Sequence, residues 1–206
     1  MALVKSTLKT SLINVFNTME DDSDFCEGIA NAIKSYAEAG SVVTVDSGTV
    51  SGGAFVGSGN GHISLNASDM YTPMKSKCAQ MKENYAQSGY NGDNELADAF
   101  GSSLDTMTGK SNIVSTNVSG TVTTPSGASS ALSGTAKGTI SCNSTSLVSG
   151  LKQVFYDMKT NHSSSYDDTY LAGKIADFVD AYFKAGSIST NGQGALSGSA
   201  GTGTIS

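Results

Sequence analysis

Gly201-Thr202-Gly203-Thr204-Ile205-Ser206 ends the chain on the motif Gly-x-Ile-Ser, and the same close stands at Gly61-His62-Ile63-Ser64 and at Gly138-Thr139-Ile140-Ser141. Each copy finishes a polar, glycine-punctuated stretch, and reading backwards from each the match extends. Leu12-x-x-x-Phe16-x-x-Met19, Met74-x-x-x-Cys78-x-x-Met81 and Leu151-x-x-x-Phe155-x-x-Met158 share one spacing, i, i+4, i+7, which places three apolar side chains on one helical face. A second block follows. Ile29-Ala30-x-x-Ile33-x-x-Tyr36 runs to Gly40, and Ile175-Ala176-x-x-Val179-x-x-Tyr182 runs to Gly186. The middle copy offers Leu96-Ala97-x-x-Phe100, then Leu104 and Met107 before Gly109. Features recurring in a fixed order mark a repeat architecture. The expected fold class is therefore α+β: three tandem repeats, each a helix pair followed by a Gly/Thr-rich β-hairpin-like segment, over residues 1–66, 67–143 and 144–206. The spacing between the two helical blocks varies from copy to copy, so insertions fall in the inter-helix loop, where added length costs little.

Local signals fill in this outline. The first helix is expected from Ser6 or Thr7 to about Asp21, and the second from Asp24 to Ala39 with Ser23 or Asp24 as its cap and Gly40 beyond its end. Val42–Val45 and Gly48–Ser51 flank Asp46-Ser47 and read as a hairpin of β-branched arms. In the middle copy, helices are expected over Thr72–Gln87, with Pro73 in a first turn, and over Asn94–Met107. Strand text follows from Ile113 to Thr123, is broken at Pro125-Ser126-Gly127, and returns from Leu132 to Ile140. The last copy reads as helices over Ser144–Thr160 and Thr169–Lys184 before its glycine-rich end. Glycine inside a strand marks a place where another backbone comes close, which is the reading given to the Gly-x-Ile-Ser closes. A lone hairpin is marginal and its edges seek partners. Strand pairing between repeats and with neighbouring chains is expected through Val42, Val45, Val50, Ile63, Val118, Val122, Ile140, Ile188 and Ile205.

Composition limits what such a chain can do. Charged residues make up only 15% of it, against ~25% in ordinary domains, so its surface must be built from Ser, Thr, Asn and Gly. That suits a protein covered by neighbours better than one kept soluble by charge. The net charge is −6, with twelve lysines and no arginine. Nucleic-acid binders cluster Lys and Arg on one face and favour Arg for bidentate contacts, so a nucleic-acid partner is not expected. No stretch approaches the ~18 apolar residues of a spanning helix, and no apolar signal region follows Met1, so the expectation is a chain without membrane insertion that folds in a reducing cytoplasm or leaves by a route without a cleaved signal. The three cysteines, Cys26, Cys78 and Cys142, occupy different places in the repeat. Cys78 stands where the other copies have Phe16 and Phe155, which makes it a small buried hydrophobe. The set suggests neither a disulfide framework nor a zinc site.

No catalytic, cofactor-binding or metal site is expected. His62 and His162 lie at unrelated repeat positions, and no Ser-His-Asp arrangement accompanies the many serines. Asp21-Asp22-Ser23-Asp24, Asp167-Asp168 and Asn91-Gly92-Asp93-Asn94-Glu95 offer oxygens for calcium but lack the spacing of a calcium loop; helix capping accounts for the acidic pairs. Gly57-Ser58-Gly59-Asn60-Gly61 neither follows a strand into a helix nor carries a Lys-Ser/Thr pair, so turn and strand geometry explains it better than a phosphate cradle.

The sequence Leu-x-x-x-Phe-x-x-Met, Ile-Ala-x-x-Ile-x-x-Tyr-x-x-x-Gly-Ser-Val, Gly-Thr-Val-Ser-Gly and Gly-x-Gly-x-Ile-Ser resembles small virion structural proteins of tailed bacteriophages. The resemblance runs through all three copies, the middle one departing most, with Ser103 at the tyrosine position. It implies a non-enzymatic component of the head–tail connector, tail or baseplate, assembled in the host cytoplasm and partnered by other virion proteins and by copies of itself in a symmetric assembly. A different class of function, a surface-exposed repeat adhesin recognising carbohydrate or a host surface through its Ser/Thr/Asn-rich segments, also fits the composition.

Overall fold

The computed structural model describes residues 3–84, 92–161 and 165–206. Among them the fold is mixed α+β, with helices α1 (Lys5–Thr18), α2 (Asp22–Glu38), α3 (Ser68–Asn84), α4 (Gly92–Thr108), α5 (Thr145–Thr160) and α6 (Asp168–Lys184). The strands are β1 (Val42–Val50), β2 (Gly53–Ile63), β3 (Val114–Thr123), β4 (Ser129–Ser141), β5 (Ser187–Gly192) and β6 (Ser199–Ile205), with a 3-10 turn at Gly194–Leu196. No described helix is long and apolar enough to cross a membrane.

All six strands close into one antiparallel barrel in chain order, β6 returning to β1. The helices follow the same order: each packs on its neighbours in sequence, and α1 also packs on α6. The principal core lies between these two layers. Val42, Ile63, Val114, Ile140, Ile188 and Ile205 form the helix-facing end of the barrel and are all buried. Leu8, Leu12, Ile29, Ile33, Met70, Met74, Leu104, Val179 and Phe183 meet them from the helical side. Burying six such side chains is worth on the order of 10 kcal/mol. Ion pairs between adjacent helices, such as Lys5–Asp177 at 2.6 Å, Lys82–Asp22 at 2.6 Å and Lys152–Asp98 at 2.8 Å, are largely exposed and contribute ~0–1 kcal/mol each. Apolar burial therefore decides the fold, and the ion pairs adjust helix orientation.

A six-stranded barrel is narrow, and its inward-facing residues show it. Thr44 pairs with Gly59 on β2 and Gly203 on β6; Thr116 pairs with Gly61 and Ala136; Thr190 pairs with Gly138 and Gly201. The glycine of each Gly-x-Ile-Ser presses against the following hairpin's first strand. A Cβ on Gly61 would stand 1.9 Å from the Ser115 carbonyl oxygen, on Gly138 1.8 Å from that of Ser189, and on Gly203 1.9 Å from that of Val43. The isoleucine two residues on pairs with the base residue of the same neighbouring strand, as in Ile63↔Val114, Ile140↔Ile188 and Ile205↔Val42.

Several local expectations are corrected. The first hairpin does not turn at Asp46-Ser47: β1 continues to Val50, and the turn is Ser51-Gly52, with φ of 50° and 78°. Positive φ at both central residues suits the twist of a two-residue hairpin, which a turn placed earlier would spend on the inward-facing Asp46. The cap of α2 is Asp21, whose carboxylate accepts from the amides of Ser23 and Asp24 at 2.7 and 2.9 Å. Pro73 lies inside α3 rather than in its first turn. The helix opens earlier because the carbonyls of Asn66 and Ala67 accept from Asp69, Met70 and Tyr71, and the Asn66 side chain accepts from the Ser68 amide.

Candidate functional site

The residues expected to pair strands fall into two groups. Val42, Val50, Ile63, Val118, Val122, Ile140, Ile188 and Ile205 point inward and are buried, whereas Val45 points outward and is 69% exposed. The pairings that join the predicted segments exist, as β2–β3, β4–β5 and β6–β1. Ring closure gives each described strand a neighbour on both sides, but β5 pairs only with Ala136–Ser141 of β4, so Ser129–Gly134 is paired on its β3 side alone.

The outer wall is uneven. Val43 and Val45 on β1 are 48% and 69% exposed, and Val56 on β2 is 65% exposed. The register puts Val43 beside Asn60 and Thr204, Val45 beside Ser58 and Thr202, and Val56 beside Ser47. The corresponding outward positions are Ser115 and Asn117 on β3 and Ser189 and Asn191 on β5. One face of the barrel thus carries exposed valines among polar neighbours where β3 and β5 carry serine and asparagine, a signal hidden in the sequence because the outward residues alternate with the core residues it made legible.

Inside the barrel lies a polar group that the sequence did not announce. Thr44, Asp46, Thr116 and Thr190 are each 1% exposed or less. The Thr44 hydroxyl donates to Asp46 Oδ2 at 2.7 Å, while Asp46 Oδ1, Thr116 Oγ1 and Thr190 Oγ1 have no protein hydrogen-bond partner. Asp46 Oδ1 and Thr190 Oγ1 both crowd Gly201, at 2.1 and 2.6 Å from where its Cβ would be. Beyond this layer, Val50, Phe55, Val118, Val122, Ala136 and Leu196 form a small second core at the barrel's far end.

Two tyrosines at matching helical positions tie helices together under the barrel. Tyr36 donates to Asp180 across α2 and α6. Tyr182 donates to Asp105 Oδ1 at 2.8 Å and contacts the Thr108 hydroxyl at 2.6 Å, while Ser144 donates to Asp105 Oδ2 at 2.5 Å. Burial first, then the carboxylate acceptor, pushes the Tyr36 phenol far above its ordinary value, and burial does the same at Tyr182. Burial alone would raise Asp180, but hydrogen bonds from Tyr36 and Lys184 leave it below the usual carboxylate value. These are holding contacts between helices.

A cleft of about 690 Å³ opens among α1, α2, α3 and α4, lined by Met19, Phe25, Cys78, Met81, Lys82 and Leu96. Behind it, Cys26 Sγ lies 3.8 Å from Cys78 Sγ. The unrelated repeat positions of the two cysteines concealed this pairing, because one lies on α2 and the other on the helix that follows the next hairpin.

Of the oxygen-rich stretches, Asp21 and Asp167 serve as helix caps, Asp167 accepting from the Tyr170 amide at 2.9 Å. The amides of Asp24, then Ser23, hold the Asp21 carboxyl below its usual range. Among the described residues no three His, Cys, Asp or Glu side chains are grouped to hold a metal ion. His62 is exposed on β2, and Gly57–Gly61 is strand. His162 and Asn91 lie outside the described residues. Comparison of the chain with protein-family models, curated proteins and solved structures gives no match.

Proposed function

We propose that this chain is a non-enzymatic structural component of a tailed-phage or phage-tail-like particle, in the head–tail connector, tail or baseplate, working through protein–protein contacts. It is built as three tandem helix-pair and hairpin repeats that share one barrel. The observation that carries the reading is the outer β1–β2 wall: Val43, Val45 and Val56 are exposed, the first two at positions where the other hairpins carry serine or asparagine. A contact made through that wall docks side chains against a partner and does not extend the sheet there, because β1 lies between β2 and β6 and β2 between β1 and β3. The low charge of the chain and its resemblance in pattern to virion structural proteins support the same reading.

The test is co-sedimentation of the full chain with particles from cells producing it, with wild-type chain and Val45→Asn/Val56→Asn compared. Wild-type chain in the particle fraction and variant in the soluble fraction support the proposal. Glycan binding by an isolated monomer that never enters particles overturns it.

A further inference from the structure

We propose that Cys26 and Cys78 are a modification site, joined into an intramolecular disulfide by a peroxide so that α2 is fastened to α3. Three features of the pair, and the position of the third cysteine, carry this. The sulfurs are in contact at 3.8 Å, and oxidation would draw them to the ~2.05 Å of a disulfide. The two are differently placed: Cys26 is fully buried, whereas Cys78 lines the open cleft beside Lys82. The contact with Cys26, helped by Lys82, lowers the Cys78 thiol despite burial, and the thiolate is the reactive form. The third cysteine, Cys142, lies apart against Gly186 at the helix–barrel junction, where burial pushes its thiol up to about 12.

The chemistry balances with a peroxide as the two-electron oxidant. The Cys78 thiolate attacks one peroxide oxygen, the O–O bond breaks, and the departing hydroxide takes up the proton Cys78 gave to solvent, leaving a sulfenic acid and one water. Cys26 sulfur then attacks Cys78 sulfur. The S–O bond breaks and the leaving hydroxide departs with the Cys26 proton as a second water. Two thiols are oxidised, one peroxide is reduced, and a bond spans 52 positions of chain. Closing a loop of that length restricts the unfolded chain, so the oxidised protein should melt higher than the reduced one. The inference stands apart from the particle reading, since it concerns this chain alone.

Full-length protein is treated with equimolar hydrogen peroxide, alkylated with iodoacetamide in denaturant and digested with trypsin. The expected product joins peptide 10–34 to peptide 78–82, is lighter by two hydrogens than the sum of the two, and leaves Cys142 alkylated in peptide 138–152. Its thermal midpoint should exceed that of the reduced chain by several degrees. In Cys26→Ser, Cys78 should instead accumulate as a sulfenic acid that dimedone labels. If that variant does not fold, the wild-type peptide map decides alone. A bridge through Cys142, a bridge between molecules, over-oxidation of Cys78 without a bridge, or an unchanged midpoint in the bridged protein overturns the proposal.

Discussion

On the inner surface of the barrel, Thr44, Thr116 and Thr190 each stand between two small residues, and the ring beneath them is valine or isoleucine at all six places. On the outer surface the adjacent positions diverge: Val43 and Val45 on β1, Ser115 and Asn117 on β3, Ser189 and Asn191 on β5. Inside, closure of a narrow barrel sets the volume available at every position, so the three hairpins have little freedom to differ. Outside, geometry asks almost nothing of a side chain, and differences there are free to serve contacts. The inner face tells how the chain folds, and the outer face is where the hairpins are free to differ.

The largest effect should come from adding volume to the inner face. Gly138→Val forces a Cβ to within 1.8 Å of the Ser189 carbonyl oxygen, backbone that cannot move without breaking the β4–β5 pairing. Overpacking of this kind costs about 3 kcal/mol or more, and urea unfolding should show a chain far less stable or unfolded. Thr135→Val on the outward face of the same strand is the contrast, expected within about 0.5 kcal/mol of wild type. Equal losses at both positions would erase the distinction between the two faces.

That inner face also marks how much could be read before the structure. The Gly-x-Ile-Ser closes were legible because steric exclusion writes itself as glycine at a fixed place. The helix faces were legible because burial imposes a period of 3.6 on Leu8/Leu12/Phe16 and Ile175/Val179/Tyr182; Met19, read into the first of these faces, instead lies past the end of α1 and is 45% exposed. Closure was not legible: a strand whose partners lie 46 to 163 residues away looks the same, in one sequence, as an edge awaiting another chain. Asp46 was misplaced for a related reason. Asp-Ser before glycine is ordinary turn text, and only the register of a long hairpin turns that carboxylate into the barrel. Cys26 and Cys78 gave no signal because their meeting depends on how α2 and α3 pack, which no local spacing encodes.

Asp46 breaks the likeness of the three hairpins from within, since Val118 occupies the next hairpin's corresponding position and Gly192 the third's. A buried carboxylate oxygen without a protein partner costs about 1–3 kcal/mol. Asp46→Val should therefore raise stability by roughly 1–2 kcal/mol, read as a higher urea midpoint with the slope unchanged. A loss as large as that of a core truncation would mean that the barrel interior needs the carboxylate, and its inner surface would then be a site and not only a packing layer.

A smaller effect is expected at the helical end. Asp21 caps α2, and its carboxyl is held below the usual 3.8 by the amides of Asp24 and Ser23. A carboxyl lowered in the folded state stabilises above its unfolded value and loses that contribution as pH falls through the folded one. Asp21→Ala should lower the thermal midpoint at neutral pH, and the gap from wild type should shrink progressively below about pH 4, the unfolded range. A gap that persists undiminished in acid would assign the loss to helix propensity and not to the charged cap.

The smallest effect on stability, and the one that bears most on function, belongs to the outer wall. Val45 is 69% exposed and Val56 65%, so replacing both with asparagine removes little buried area, and the unfolding midpoint should move by no more than about 0.5 kcal/mol per site. Asparagine is already what β3 and β5 carry at the position matching Val45, so the strand tolerates it at this barrel radius. If the wall packs against a neighbour, the same pair of changes should nonetheless abolish recruitment into particles, leaving a folded monomer in solution. Stability and assembly would then separate cleanly between the barrel's two surfaces. A variant that folds normally and still enters particles would show that the three valines are exposed without consequence, and the contact surface would have to be sought on the helices.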